Sequence, residues 1–110
     1  MNAILNVMPQ PWVDICALGD IPVRGSRVVE TTHGQIALFR TAENEVFALE
    51  NRCPHKGGPL SEGIVHGRLV TCPLHNWNIG LADGQAVAPD EGCSARYPAR
   101  HEDGSVFIRL

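Results

Sequence analysis

Cys53-Pro54-His55-Lys56-Gly57-Gly58-Pro59-Leu60 and Cys72-Pro73-Leu74-His75-Asn76-Trp77 are the two stretches on which the reading of this chain turns. Residues 56–71 separate His55 from Cys72. Each stretch offers one thiolate and one imidazole, the donor types that suit iron–sulfur clusters and zinc. Structural zinc sites usually pair ligands two to four residues apart, Cys with Cys and His with His, so the single residue between Cys53 and His55 suits zinc less well. A [2Fe-2S] core in which two imidazoles replace two thiolates on one iron takes this donor set directly. Cys53 and Cys72 then bind one iron and His55 and His75 the other, provided that the two loops lie side by side. A mononuclear zinc site remains the alternative on the residues alone. Buried structural cysteines beside incidental histidines would not explain why proline follows cysteine in both stretches.

Outward from these stretches the chain alternates short runs rich in Val, Ile and Phe with Gly, Asp and Asn turns, the pattern of an all-β domain of short antiparallel strands. The alternation predicts strands over 12–17, 27–31, 35–40, 45–50, 69–71, 76–81, 96–101 and 105–110. His33-Gly34, Glu43-Asn44, Asp83-Gly84 and Asp103-Gly104 supply turn residues that tolerate positive φ. Residues 52–67 are expected to be loop, because prolines, glycines and charges interrupt any strand pattern there. A loop of that length in a small domain usually has a function, and this one lies between the two Cys/His pairs.

With 110 residues, the chain is read as one domain, 1–110, long enough for a core but with little margin. Nine basic against twelve acidic residues give a net charge of −3, with no basic run to neutralise a row of phosphates, so no nucleic-acid partner is expected. The first ten residues carry no Lys or Arg, and no apolar run reaches the length of a membrane span. The expectation is a cytoplasmic protein without a membrane partner. In that reducing setting, four cysteines, two of them beside histidine, read as metal ligation rather than disulfides.

At its four donor positions the sequence resembles the Rieske family, whose motif is Cys-x-His followed, after a loop, by Cys-x-x-His. The likeness runs from Trp12-Val13-Asp14 through the glycines of the cluster loops to the C-terminal hairpin. It implies a Rieske-type fold, stacked antiparallel β-sheets forming a sandwich or barrel with a small cluster-binding subdomain. It also implies one [2Fe-2S] cluster on Cys53, His55, Cys72 and His75, held by loops at 52–58 and 72–77. In the Rieske proteins of respiratory cytochrome bc complexes a disulfide joins these loops, and the matching positions here hold Gly58 and Leu74. The Ser and Tyr that donate hydrogen bonds to the cluster there match Trp77 and Ile79. Fewer donors leave an added electron less stabilised, so a potential near the low end of the Rieske span is expected.

Among soluble relatives, the run 72–77, continuing through Ile79, Leu81, Gly84 and Ala86 to Pro89-Asp90-Glu91-Gly92-Cys93, looks more like the small subunit of assimilatory NAD(P)H-dependent nitrite reductase than like dioxygenase ferredoxins. So does Lys56-Gly57-Gly58-Pro59-Leu60. That resemblance implies a one-electron relay in the reduction of nitrite to ammonium, with no catalytic residue of its own. The chain has no Gly-x-Gly-x-x-Gly nucleotide fingerprint. The flavin, NAD(P)H, [4Fe-4S] and sirohaem sites of such an enzyme would therefore lie on a large partner subunit. A free-standing ferredoxin of an aromatic-ring dioxygenase and a zinc-stabilised interaction module are the alternatives.

The remaining chemistry-bearing residues have plainer readings. Cys16 and Cys93 read as small buried hydrophobes, His33 and His101 as turn or strand-end residues, and His66 as a solvated loop histidine. Trp77 either packs against the cluster loop or, on the plainer reading, packs in the core without a redox role. Residues 89–92 are either a third loop shielding the cluster, with Asp90 and Glu91 toward a partner, or an ordinary connection. Lys56 and Arg68 are either a small docking patch or isolated surface cations.

Overall fold

The computed structural model describes residues 11–110, and the uncharged first ten residues on which the expectation of no export signal rests lie outside that range. Among the described residues, ten short strands form three antiparallel sheets. They are β1 (Trp12–Ala17), β2 (Gly25–Thr31), β3 (Gly34–Arg40), β4 (Val46–Glu50), β5 (Ile64–His66), β6 (Leu69–Thr71), β7 (Asn78–Gly80), β8 (Arg96–Tyr97), β9 (Ala99–Glu102) and β10 (Ser105–Arg109). The sheet orders are β1-β10-β9, β2-β3-β4-β8 and β5-β6-β7, and no sheet closes into a barrel among the described residues. No helix among them is long and apolar enough to cross a membrane.

The four-stranded sheet has both faces covered, which is why Ile36-Ala37-Leu38-Phe39 on β3 is buried without interruption. Successive strand side chains point to opposite faces. Ile36, Leu38, Val46 and Ala48 therefore pack with Val106 and Ile108 of the β1-β10-β9 sheet. Ala37, Phe39 and Leu49 pack on the other side with Val65, Val70 and Ile79 of the β5-β6-β7 sheet. Cys53 and Cys72 belong to this second core, so the candidate donors rest on the central sheet.

Seven of the eight expected strands lie within two residues of their predicted bounds. The run 96–101 instead divides at Pro98, whose missing N–H ends the pairing of β8 with β4. The chain then turns to pair β9 with β10. The four expected turns hold, with positive φ at Gly34, Asn44, Gly84, Asp103 and Gly104. The expectation that 52–67 is all loop is corrected by a 3-10 turn at Leu60–Glu62 and by β5. Ile64-Val65-His66 pairs with β6 through the Gly67-Arg68 turn, where Gly67 has φ +57. The flanking glycines hid that strand in the sequence.

Candidate metal centre

Two six-residue loops, one leaving β4 and one joining β6 to β7, are closed in the same way. The Cys53 amide donates to the Gly58 carbonyl at 2.7 Å, and the Cys72 amide donates to the Trp77 carbonyl at 2.7 Å. Gly57, at φ +73, and His75 and Asn76, at +66 and +59, take the left-handed backbone these tight loops require. The loops touch: a Cβ placed on Gly58 would lie 2.9 Å from Leu74 Cδ1 and 3.2 Å from Cys72 Sγ. Gly58 and Leu74, which the resemblance sets at the disulfide positions of the respiratory proteins, are thus spatial neighbours.

The four sequence-predicted donors meet in two pairs, Cys53 with Cys72 and His55 with His75. Cys53 and Cys72 are 1% and 0% exposed, and their thiols interact. Burial pushes the Cys72 thiol up, the Leu74 amide, which approaches Sγ at 3.4 Å, opposes this, and the Cys53 thiol adds to the rise. A cation or cluster at the pair would take both as thiolates. His55 and His75 stand with ring centroids 4.9 Å apart. His75 is exposed and His55 half-buried, and the Nδ1 of His55 is buried without a hydrogen-bond partner. Such an orphaned ring nitrogen is costly unless something binds it.

No three His, Cys, Asp or Glu side chains among the described residues converge as a single ion would need. The donors are grouped by type instead, thiol with thiol and imidazole with imidazole, which fits a two-iron group of mixed ligation. The environment is shaped by two further contacts. Trp77 stacks on His55, with centroids 4.3 Å apart and planes at 6°, so it packs against the cluster loop as well as on the core. Gly92 abuts Pro54, since a Cβ there would lie 3.0 Å from the proline Cβ, so the 89–92 segment flanks the first loop. The Ser94 hydroxyl donates to the Arg52 carbonyl and ties that segment to the residue before Cys53.

Residues outside the centre depart from their sequence readings in places. Cys93 is exposed and lines a cavity of about 230 Å³ with Cys53, His55 and Lys56, so its reading as a buried hydrophobe is overturned. It follows Gly92 in an irregular connection, and no core strand carries its side chain inward. Cys16 is half-buried on β1. His66 ends β5 and bonds Thr71 Oγ1 at 2.7 Å across to β6, so it is a strand residue rather than a loop one. His33 lies in the β2–β3 turn against Tyr97, and His101 lies on β9. Arg68 pairs with Glu45 at 3.0 Å and lies over the Phe47 ring.

Residues 11–109 match the family model of the Rieske-like [2Fe-2S] domain. The chain is 32% identical over 104 residues to the ferredoxin component of the naphthalene 1,2-dioxygenase/salicylate 5-hydroxylase systems of Ralstonia sp, covering 94% of this chain and 99% of that one. It is 35% identical over 98 residues to the 3-phenylpropionate/cinnamic acid dioxygenase ferredoxin subunit of Photorhabdus laumondii, covering 87% and 91%. Its fold superposes, with a TM-score of 0.82 and 29% identity, on a candidate NADH-dependent nitrite reductase small subunit from Mycobacterium tuberculosis, covering 92% and 96%. Both kinds of relative are therefore similar to the chain along almost its whole length. The chain belongs to the Rieske-like [2Fe-2S] domain family: it is an electron-transfer protein whose cofactor is a Rieske-type [2Fe-2S] cluster.

Proposed function

We propose that Cys53 and Cys72 ligate one iron of the cluster and His55 and His75 the other, within a single domain whose holding loops are 52–58 and 72–77. The observation that carries this assignment is the pairing of donors by type, with the unpartnered Nδ1 of His55 directed into a buried setting. Bound there, the cluster supplies a redox couple that exchanges one electron at a time. The chain's own residues divide the remaining work. The two cysteines lie in the core between the β5-β6-β7 sheet and the central sheet, which keeps water from that end. His75 is exposed, so the imidazole end faces a partner.

The partner we propose is the large flavin- and sirohaem-bearing subunit of an NAD(P)H-dependent nitrite reductase in the cytoplasm. This chain would be the small, non-catalytic relay subunit. The run from Cys72 to Cys93 and the 29% identity to the mycobacterial protein over 92% of this chain support that reading. A second reading, ferredoxin component of a ring-hydroxylating dioxygenase, is favoured by the 32–35% identity to such components. Stopped-flow mixing of the reduced protein with each candidate partner separates the two. Rapid, saturable reoxidation by the nitrite reductase large subunit, and not by a terminal dioxygenase, is the expected result. The reverse outcome replaces the first reading with the second.

A further inference from the structure

We infer that Trp77 is a positioning residue for the cluster. It is a flat strut, carried by the second loop, that fixes the ring plane of His55 in the first and so makes the two imidazoles inequivalent. The inference rests on the ligand set proposed above.

His55 sits in a loop that has no strand of its own and runs on through Lys56-Gly57-Gly58, with Gly57 in the left-handed region. A ligating imidazole is normally held in orientation by a hydrogen bond from its second nitrogen to a carboxylate or carbonyl. Among the described residues no hydrogen bond orients the His55 ring through its other nitrogen, and the contact that defines its ring plane is the indole, parallel within 6° at 4.3 Å. Parallel stacking is one of the arrangements aromatic rings adopt. The indole is itself well anchored: the Trp77 carbonyl accepts from the Cys72 amide at 2.7 Å, Asn78 begins β7, and the ring packs on the second core. Among the described residues no stacked ring holds His75, whose ring meets His55 at 81° and is exposed. One imidazole is therefore clamped and shielded while the other is open.

Two consequences follow from the physics. The orientation of one ligand ring, and not of the other, depends on residue 77. The indole also replaces water on one side of the site. Reduction adds a negative charge, and water stabilises charge better than an apolar ring does, so losing the indole shifts the midpoint potential upward.

The test compares the wild type with Trp77→Phe, which keeps a flat ring, and Trp77→Leu, which keeps apolar bulk without one. The readouts are the midpoint potential and the histidine nitrogen couplings seen by pulsed electron paramagnetic resonance. Trp77→Phe is expected to match the wild type. Trp77→Leu is expected to shift the potential upward and to change one of the two nitrogen couplings. If Trp77→Leu fails to hold a cluster while its circular dichroism and the loading of Trp77→Phe stay normal, the positioning role also stands. Unchanged readouts in both variants, or equal losses in both, overturn it. Absence of a half-histidine signal in the wild type would instead sink the ligand set itself, so the two failures are distinguishable.

Discussion

The imidazoles of His55 and His75 stand edge to face, centroids 4.9 Å apart and planes at 81°, although they come from loops separated by the whole of β5 and β6. That meeting makes the ligand assignment testable one residue at a time. In the dithionite-reduced protein, the anisotropic, low-average-g signal of a half-histidine cluster is expected. It should be lost in His75→Ala and in His55→Ala. Cys16→Ser and Cys93→Ser should retain it, since neither thiol belongs to the paired donors. Loss of the signal in Cys93→Ser would mean that the exposed cysteine beside the first loop has taken a ligand position.

At Gly58 the two loops lie against each other. An alanine there would set its methyl 2.9 Å from Leu74 Cδ1 and Cγ and 3.2 Å from Cys72 Sγ. Overpacking of this kind costs about 1–3 kcal/mol. Gly58→Ala is expected to lower the urea midpoint of the loaded protein and to speed cluster release to a chelator. Adding Leu74→Ala should recover part of both, because it removes the atoms that clash. Additive losses in the double variant would show that the contact does not limit the site.

Trp77, stacked on His55, and Ile79, fully buried in the second core, stand where the resemblance to the respiratory proteins places their hydroxyl-bearing residues. Neither offers an oxygen donor to a cluster sulfur, while the Leu74 amide reaches Cys72 Sγ at 3.4 Å. Donors to sulfur stabilise the added electron. The midpoint potential is therefore expected in the lower part of the Rieske span of roughly −150 to +300 mV. Protein-film voltammetry giving a value well above zero would refute this.

Parity along β3 separates two kinds of core damage. Leu38 faces the β1-β10-β9 sheet, and Phe39 faces the sheet that carries the second loop. Leu38→Ala is expected to cost about 2–5 kcal/mol of global stability and Phe39→Ala about 3–5 kcal/mol. Only Phe39→Ala should also accelerate cluster loss at denaturant concentrations well below unfolding, because its cavity opens beneath Cys53 and Cys72. Equal release rates in the two variants would contradict the division of the core.

How much of this was legible in the sequence depends on range. The turns and the strand β3 follow from local spacing and composition, and each was readable. The division of 96–101 at Pro98 was half-signalled, since proline limits pairing but does not say which sheet the chain joins next. β5 was missed because three residues between Gly63 and Gly67 carry too short a pattern to read, and only pairing with β6 makes them a strand. The Trp77–His55 stack and the Gly58–Leu74 contact join the two loops across the site. No local pattern encodes contacts of that kind. The exposure of Cys93 was likewise invisible, because residue type favours burial and only the path of the 89–92 segment turns it outward.

Cys16 and Cys93 are predicted to differ in reactivity for a reason that can be separated from the cluster. Burial pushes the Cys16 thiol up, with the Arg27 guanidinium opposing and the Asp20 and Asp14 carboxylates assisting. A thiol whose folded value lies above its unfolded one favours the folded state while it is neutral. That stability is fully present below the unfolded thiol's value of about 8.5 and is lost as pH rises through the folded value. Alkylation requires the thiolate and access to it. In the cluster-loaded protein at about pH 8, iodoacetamide should modify exposed Cys93 first and half-buried Cys16 more slowly. Raising the pH should accelerate the Cys16 reaction beyond the range where a free thiol levels off, and Cys16→Ala should flatten the loss of stability at high pH. Peptide mapping by mass spectrometry across that range checks the order of labelling, and Cys16 labelling as fast as Cys93 near neutral pH would overturn it.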